Sequence, residues 1–84
     1  MIVGFHPEVY KQLQQLPRST FRLVSDQIFA LAQEPRPDGT KKLVGGGGND
    51  WRARIGEYRI IYEIGDSVQT VTIMRVAHRR DVYR

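Results

Sequence analysis

Arginine presents a planar fork of donors that grips a phosphate through paired hydrogen bonds. From Arg52 onward this sequence holds seven arginines (Arg52, Arg54, Arg59, Arg75, Arg79, Arg80 and Arg84) and no lysine. Three of them fall in one stretch, Trp51 to Ile64, WRARIGEYRIIYEI. Side chains alternate faces along a strand. Read as two strands joined by Gly56-Glu57, the stretch puts Trp51, Ala53, Ile55, Tyr58, Ile60, Tyr62 and Ile64 on one face. Arg52, Arg54 and Arg59 share the other, with Arg54 directly opposite Arg59. Opposed like charges on a sheet cost on the order of several tenths of a kcal/mol. A solvated basic face, screened by salt and offset by Glu57 or Glu63, is one explanation. The other is a polyanion whose phosphates turn the repulsion into charge-assisted hydrogen bonds.

The last residues, AHRRDVYR, add Arg79 and Arg80 and two groups able to move protons, His78 and Tyr83. Each of these two also fits a plain structural role. His6 and His78 are the only histidines, cysteine is absent and the acidic residues are scattered. No spacing suits zinc and no carboxylate cluster suits magnesium, so neither metal nor cofactor is expected. Phosphodiester cleavage by such a chain would work without metal. That points to RNA, whose 2′-hydroxyl is an internal nucleophile. Arginines would hold the phosphate and stabilise charge growing on its oxygens, while titrating groups move the protons.

The elements that must position these residues follow from periodicity. Ile2-Val3-Gly4-Phe5 reads as a strand. Pro7 opens a first helix carrying Val9, Leu13 and Leu16, and Pro17 stops it. Phe21, Val24, Ile28 and Leu31 form the apolar stripe of a second helix, ended by Pro35 and Pro37. Lys41 to Val44 is a short edge strand. The Gly45–Gly48 run reads as a flexible loop, because no Gly-Lys-Ser/Thr ending makes it a phosphate cradle. Three strands follow, Trp51–Ile55, Tyr58–Ile64 and Val68–Val76. Gly56 suits the first position of a type II′ turn. The last strand is apolar on both faces, so it should be central. This order predicts an α+β fold, two N-terminal helices packed on an antiparallel sheet of three to four strands.

The 84 residues fit one domain, residues 1–84, without internal repeats. At 40% hydrophobic and 26% charged, with a net charge of +4, the composition is that of a globular protein biased toward anionic partners. No apolar run reaches the roughly 18 residues of a membrane span. The N-terminus lacks the pattern of a secretory signal. Together with the absence of cysteine this fits a cytoplasmic location and no membrane partner.

The core R-x-G-x-Y-R-I-I-Y (residues 54–62) and the ending H-R-R-x-V-Y (residues 78–83) resemble the RelE branch of the RelE/ParE toxin superfamily of toxin–antitoxin systems. The similarity covers nearly the whole chain. It implies a metal-independent mRNA interferase that cuts mRNA in the ribosomal A site by 2′-hydroxyl attack. It implies a cognate antitoxin as partner in a hetero-oligomer, and operator DNA bound only by the toxin–antitoxin complex. By position, Arg59 matches the arginine that stabilises the transition state, and Arg79 matches a second phosphate-binding arginine. Tyr83 and His78 match residues of the proton-transfer steps. Arg52, Arg54 and Arg80 match the RNA-binding set. In some relatives a lysine assigned as general base stands where this chain has Arg52 or Arg54, and an arginine is a poor base. Two other functions share these features. A ParE-like gyrase poison has the same fold without needing acid–base residues in the tail. An inactive module would retain antitoxin or RNA binding without cutting.

Overall fold

A computed structural model of the chain describes residues 1–43 and 49–82. Val44 and the Gly45–Gly48 run, and Tyr83 and Arg84, lie outside the described residues. The chain runs β1 (Ile2–Phe5), α1 (Pro7–Gln14), α2 (Arg18–Gln33), β2 (Lys41–Lys42), β3 (Asp50–Ile55), β4 (Tyr58–Gly65) and β5 (Thr70–His78).

Local chemistry sets the helix ends. His6 caps α1, its Nδ1 accepting the Glu8 N–H at 3.2 Å, and Pro7 occupies the first turn, where a missing N–H costs nothing. Pro17 disfavours helical backbone at Leu16 before it and stands at the N-cap of α2. The expected stripe of α2 is buried at Val24, Ile28 and Leu31, but Phe21 is 44% exposed. At 100° per residue Phe21 lies at the margin of the arc that those three residues define.

The expected α+β class holds, with a larger sheet than the three to four strands read from the sequence. Five strands run in the order β1-β5-β4-β3-β2. The sheet is mixed: β1 pairs parallel with β5, Ile2 beside Thr70 through Phe5 beside Ile73. A parallel partner that lies two helices and three strands further along the chain leaves no turn signature, so pattern alone does not assign one. The β3–β4 hairpin has the expected register, Ile55 opposite Tyr58 and Arg54 opposite Arg59. Gly56 sits at φ +57° while Glu57 keeps a negative φ, as a type II′ turn requires. The last strand is central, as expected, but runs from Thr70 to His78. Val68 stays in the preceding turn, 66% exposed.

The core forms where one sheet face meets the helices. Val9, Val24, Ile28 and Leu31 pack with Ala53, Ile60, Tyr62, Ile64, Val71, Ile73 and Val76. Tyr62 is fully buried, and its hydroxyl donates to the Pro35 carbonyl at 2.6 Å. That bond ties the end of α2 to the sheet. Burial pushes the Tyr62 phenol above its ordinary 10.0, opposed by the Thr40 hydroxyl and the Arg36 charge. At the far end of the sheet Arg36 makes a bidentate pair with Asp66, at 3.2 and 2.8 Å, and lies 5.2 Å from the Trp51 ring centre. The pair holds the Asp66 carboxyl below the usual carboxylate range.

Candidate nucleic-acid interface

The sheet face away from the helices carries the basic side chains, and register fixes which of them are neighbours. Arg54 and Arg59 oppose each other across the hairpin. In the next row Lys41 pairs with Arg52, Arg52 with Ile61, and Ile61 with Arg75. With strands ~4.8 Å apart, this row crosses the face over roughly 14 Å from Lys41 to Arg75. One row further on stand Asp50 and Glu63, opposed to each other. The face is therefore positive toward the Gly56-Glu57 turn and bounded by two carboxylates on the other side.

The Arg54–Arg59 juxtaposition is partly compensated from within. The Arg59 Nη1 donates to the Gly56 carbonyl at 3.0 Å and to its own neighbour's, Tyr58, at 2.8 Å. Those carbonyl dipoles draw one edge of the guanidinium onto the turn and fix its position. Its remaining donors are held on a rigid hairpin, the arrangement that pre-organised phosphate binding needs. Arg54 is exposed opposite it. Neither glutamate considered as a screen sits on this pair. Glu57 meets Arg79 instead, with Arg79 Nε to Glu57 Oε2 at 2.8 Å, and Glu63 faces Asp50.

Arg79 stands beside the hairpin turn, its N–H donating to the Glu57 carbonyl at 2.7 Å. Its ion pair with Glu57 is open to solvent on both sides, at 59% and 60% exposure, so it contributes about 0–1 kcal/mol and exchanges readily. Arg80 is exposed, with its N–H donating to the His78 Nδ1 at 3.2 Å. The tail from Arg79 to Val82 folds as a turn. The N–H groups of Asp81 and Val82 donate to the His78 carbonyl at 2.8 and 3.1 Å, and Val82 is buried. This anchors the chain immediately before Tyr83.

His78 stands on the other face from Arg54 and Arg59. It pairs with Tyr58, so it shares the helix side of the sheet with that residue. The two rings meet edge to face, 5.5 Å between centres. Because the His78 Nδ1 accepts a backbone N–H, a neutral ring carries its proton on Nε2.

Sequence reading missed two members of this face, Arg75 and Lys41. An irregularity in β5, opposite the step from Ile61 to Tyr62, explains the first. Ile61 pairs with Arg75 but Tyr62 pairs with Ile73, which leaves Met74 as the extra residue of a bulge. The bulge switches the inward positions from odd to even, from Val71 and Ile73 to Val76. It thereby moves Arg75 to the outer face. The switch in apolar parity is the signal that was present in the sequence. The sequence places Lys41 in an edge strand, and only the register sets it beside Arg52. Among the described residues, no three histidine, aspartate or glutamate side chains come together to hold a metal ion.

A basic outer sheet face, backed by two helices and ending in an arginine-rich turn, defines a small toxin-like domain of the RelE/ParE type. Residues 3–83 match the ParE toxin family of type II toxin–antitoxin systems, and the chain belongs to that family. It is 37% identical to Toxin RelG of Mycobacterium tuberculosis (strain ATCC 25618 / H37Rv) over 86 residues, 98% of this chain and 94% of that protein. Its fold is similar to the toxin in the archaeal RelE–RelB complex of Pyrococcus horikoshii, with a TM-score of 0.83 and 32% identity over 96% of this chain and 97% of the other. It is similar as well to a chain of the Mycobacterium tuberculosis toxin–antitoxin complex RelBE2. There the TM-score is 0.81, with 34% identity over 93% of this chain and 96% of the other. The protein is thus a toxin of a type II toxin–antitoxin system. Among the described residues, no helix is long and apolar enough to cross a membrane.

Proposed function

We propose that this toxin is a metal-independent endoribonuclease that cuts mRNA in the ribosomal A site, and that an antitoxin binds it and blocks that action. The observation that carries the reading is the direct opposition of Arg54 and Arg59 on an exposed face, with Arg59 clamped in place by turn carbonyls. A pair that costs stability in the free protein has a use when a phosphate lies between its members. Arg52, Lys41 and Arg75 extend the same face along the substrate backbone.

In this reading Arg54 and Arg59 hold the scissile phosphate and stabilise charge building on its oxygens. Arg79 exchanges Glu57 for the substrate, a small loss given how exposed the pair is. The 2′-hydroxyl attacks the adjacent phosphorus, its proton leaves to a base, and the departing 5′-oxygen takes a proton. Tyr83 and His78 are the groups assigned to these transfers. Arg52 and Arg80 bind flanking phosphates. The antitoxin assignment is supported by the similar toxins, whose solved structures are complexes of RelE with RelB. The cytoplasm, where translating ribosomes are found, is the location this function requires.

The test is expression of the toxin without an antitoxin, compared with the double variant Arg59→Ala/Tyr83→Phe. The reading predicts growth arrest with new mRNA 5′-ends inside codons, both lost in the double variant. Arrest accompanied by gyrase-dependent DNA breaks and intact mRNA would replace it with gyrase poisoning. No arrest from folded protein would leave only a binding module.

A further inference from the structure

Where β1 ends, the edge of β5 opens. Beyond Ile73 no strand among the described residues covers it, and α1 does so instead: the Gln12 Oε1 accepts the Val76 N–H at 2.7 Å, standing in for a strand partner. Beside that bond lies a cleft of about 300 Å³, lined among others by Gln12, Gln15, Tyr58, Arg75, His78 and Asp81. The nuclease chemistry uses its rim but not its interior.

We propose that this cleft holds one nucleobase of the substrate and favours keto bases, guanine and uracil, over amino bases. The proposal rests on the ribonuclease reading for the identity of the substrate and goes beyond it in naming a recognition site. The cleft is within the range of small-ligand sites, and a single base is the size of group it accepts. Single-stranded RNA is read by splaying bases onto aromatic rings and bonding their edges. Tyr58 and His78 supply two rings in edge-to-face contact. Gln12 supplies direction. With its oxygen anchored on Val76, the amide turns its Nε2 hydrogens to a ligand as donors. Arg75 is a donor only. Its Nη2 is held on the Asp81 carbonyl at 2.9 Å, so the guanidinium is positioned at the cleft by the tail turn.

A cleft whose Gln12 and Arg75 both donate suits acceptor edges. Guanine offers O6 and N7 and uracil offers O4, whereas adenine keeps N7 but carries an amino donor in place of O6, and cytosine carries one in place of O4. Arg75 reaches the cleft from the outer face through the β5 bulge, which connects the base to the phosphate row.

The test is an NMR titration of the full chain with GMP, UMP, AMP and CMP in turn. GMP and UMP are expected to shift the Gln12 side-chain amide and the Tyr58 and His78 rings saturably, at least about tenfold more tightly than AMP and CMP, the scale of base-edge discrimination. In Gln12→Glu, which keeps an acceptor for Val76 but loses the donors, that preference should fall about tenfold. Equal binding of all four, or shifts confined to the β3–β4 arginines, would overturn the cleft. The wild-type titration decides the matter even if the variant does not fold. It also needs no cleavage. Base-selective shifts from a protein that never cuts RNA would sink the nuclease reading and keep the site, while cutting without selective shifts would do the reverse.

Discussion

Arg54→Glu is predicted to make the free protein more stable and abolish its toxicity. Arg54 is exposed and stands directly across from Arg59. In place of a like-charge contact, the substitution creates a cross-strand ion pair, on a strand position already open to water. Removing the repulsion and adding the attraction are each worth roughly 0.2–1 kcal/mol, so the net gain should be about 0.5–1.5 kcal/mol at low salt. For a domain of this size about 1 kcal/mol corresponds to roughly 4–8 °C in Tm. The gain should shrink as salt rises, because exposed charges are screened within about 10 Å at 0.1 M. Arg59→Glu is the matched control. It makes the same charge change but loses the two bonds to Gly56 and Tyr58, so its gain should be smaller or absent. Denaturant unfolding at low and high salt measures the stability, and growth on expression measures the toxicity. A destabilised Arg54→Glu, or one still fully toxic, would refute the argument that this pair is kept for a polyanion.

Arg75→Ala should weaken binding of single-stranded RNA and lower the slope of log K against log salt by about 0.7, the share of one phosphate contact, in a filter-binding series. His78→Ala should reduce the cleavage rate less than Arg59→Ala does in single-turnover assays, because His78 stands on the other side of the sheet from the arginine pair. Tyr62→Phe should cost about 1–3 kcal/mol in urea unfolding, the price of leaving the buried Pro35 carbonyl without its donor. The folded state holds the Tyr62 proton more tightly than the unfolded chain, whose phenol ionises near 10.0. Stability should therefore be flat below that pH and fall as pH rises past it, a slope that Tyr62→Phe removes.

The hairpin was legible because three local signals agree: strict alternation from Trp51 to Ile64, Gly56 at a position that takes φ +57°, and a two-residue connection that leaves one register. That register alone placed Arg54 against Arg59. The rest depended on contacts distant in sequence. The partner of Ile2–Phe5 is a strand that begins 68 residues after Ile2. The Met74 bulge, which carries Arg75 to the outer face, is marked only by the apolar parity changing between Ile73 and Val76. The sequence puts His78 in the tail, whereas β5 extends to it and register turns it toward the helix side of the sheet. Phe21 fitted the helical stripe but lies at its margin, 44% exposed, because the width of a buried arc depends on what packs against it.

The most direct test of the central claim is a reconstituted translation reaction with end-mapped mRNA, repeated with a single 2′-deoxynucleotide at the mapped cut. The account predicts cuts inside codons on translating ribosomes, lost both with that one deoxynucleotide and with Arg59→Ala. Undiminished cutting of the deoxy-substituted message would contradict 2′-hydroxyl attack, and intact mRNA in the presence of folded toxin would contradict the nuclease itself.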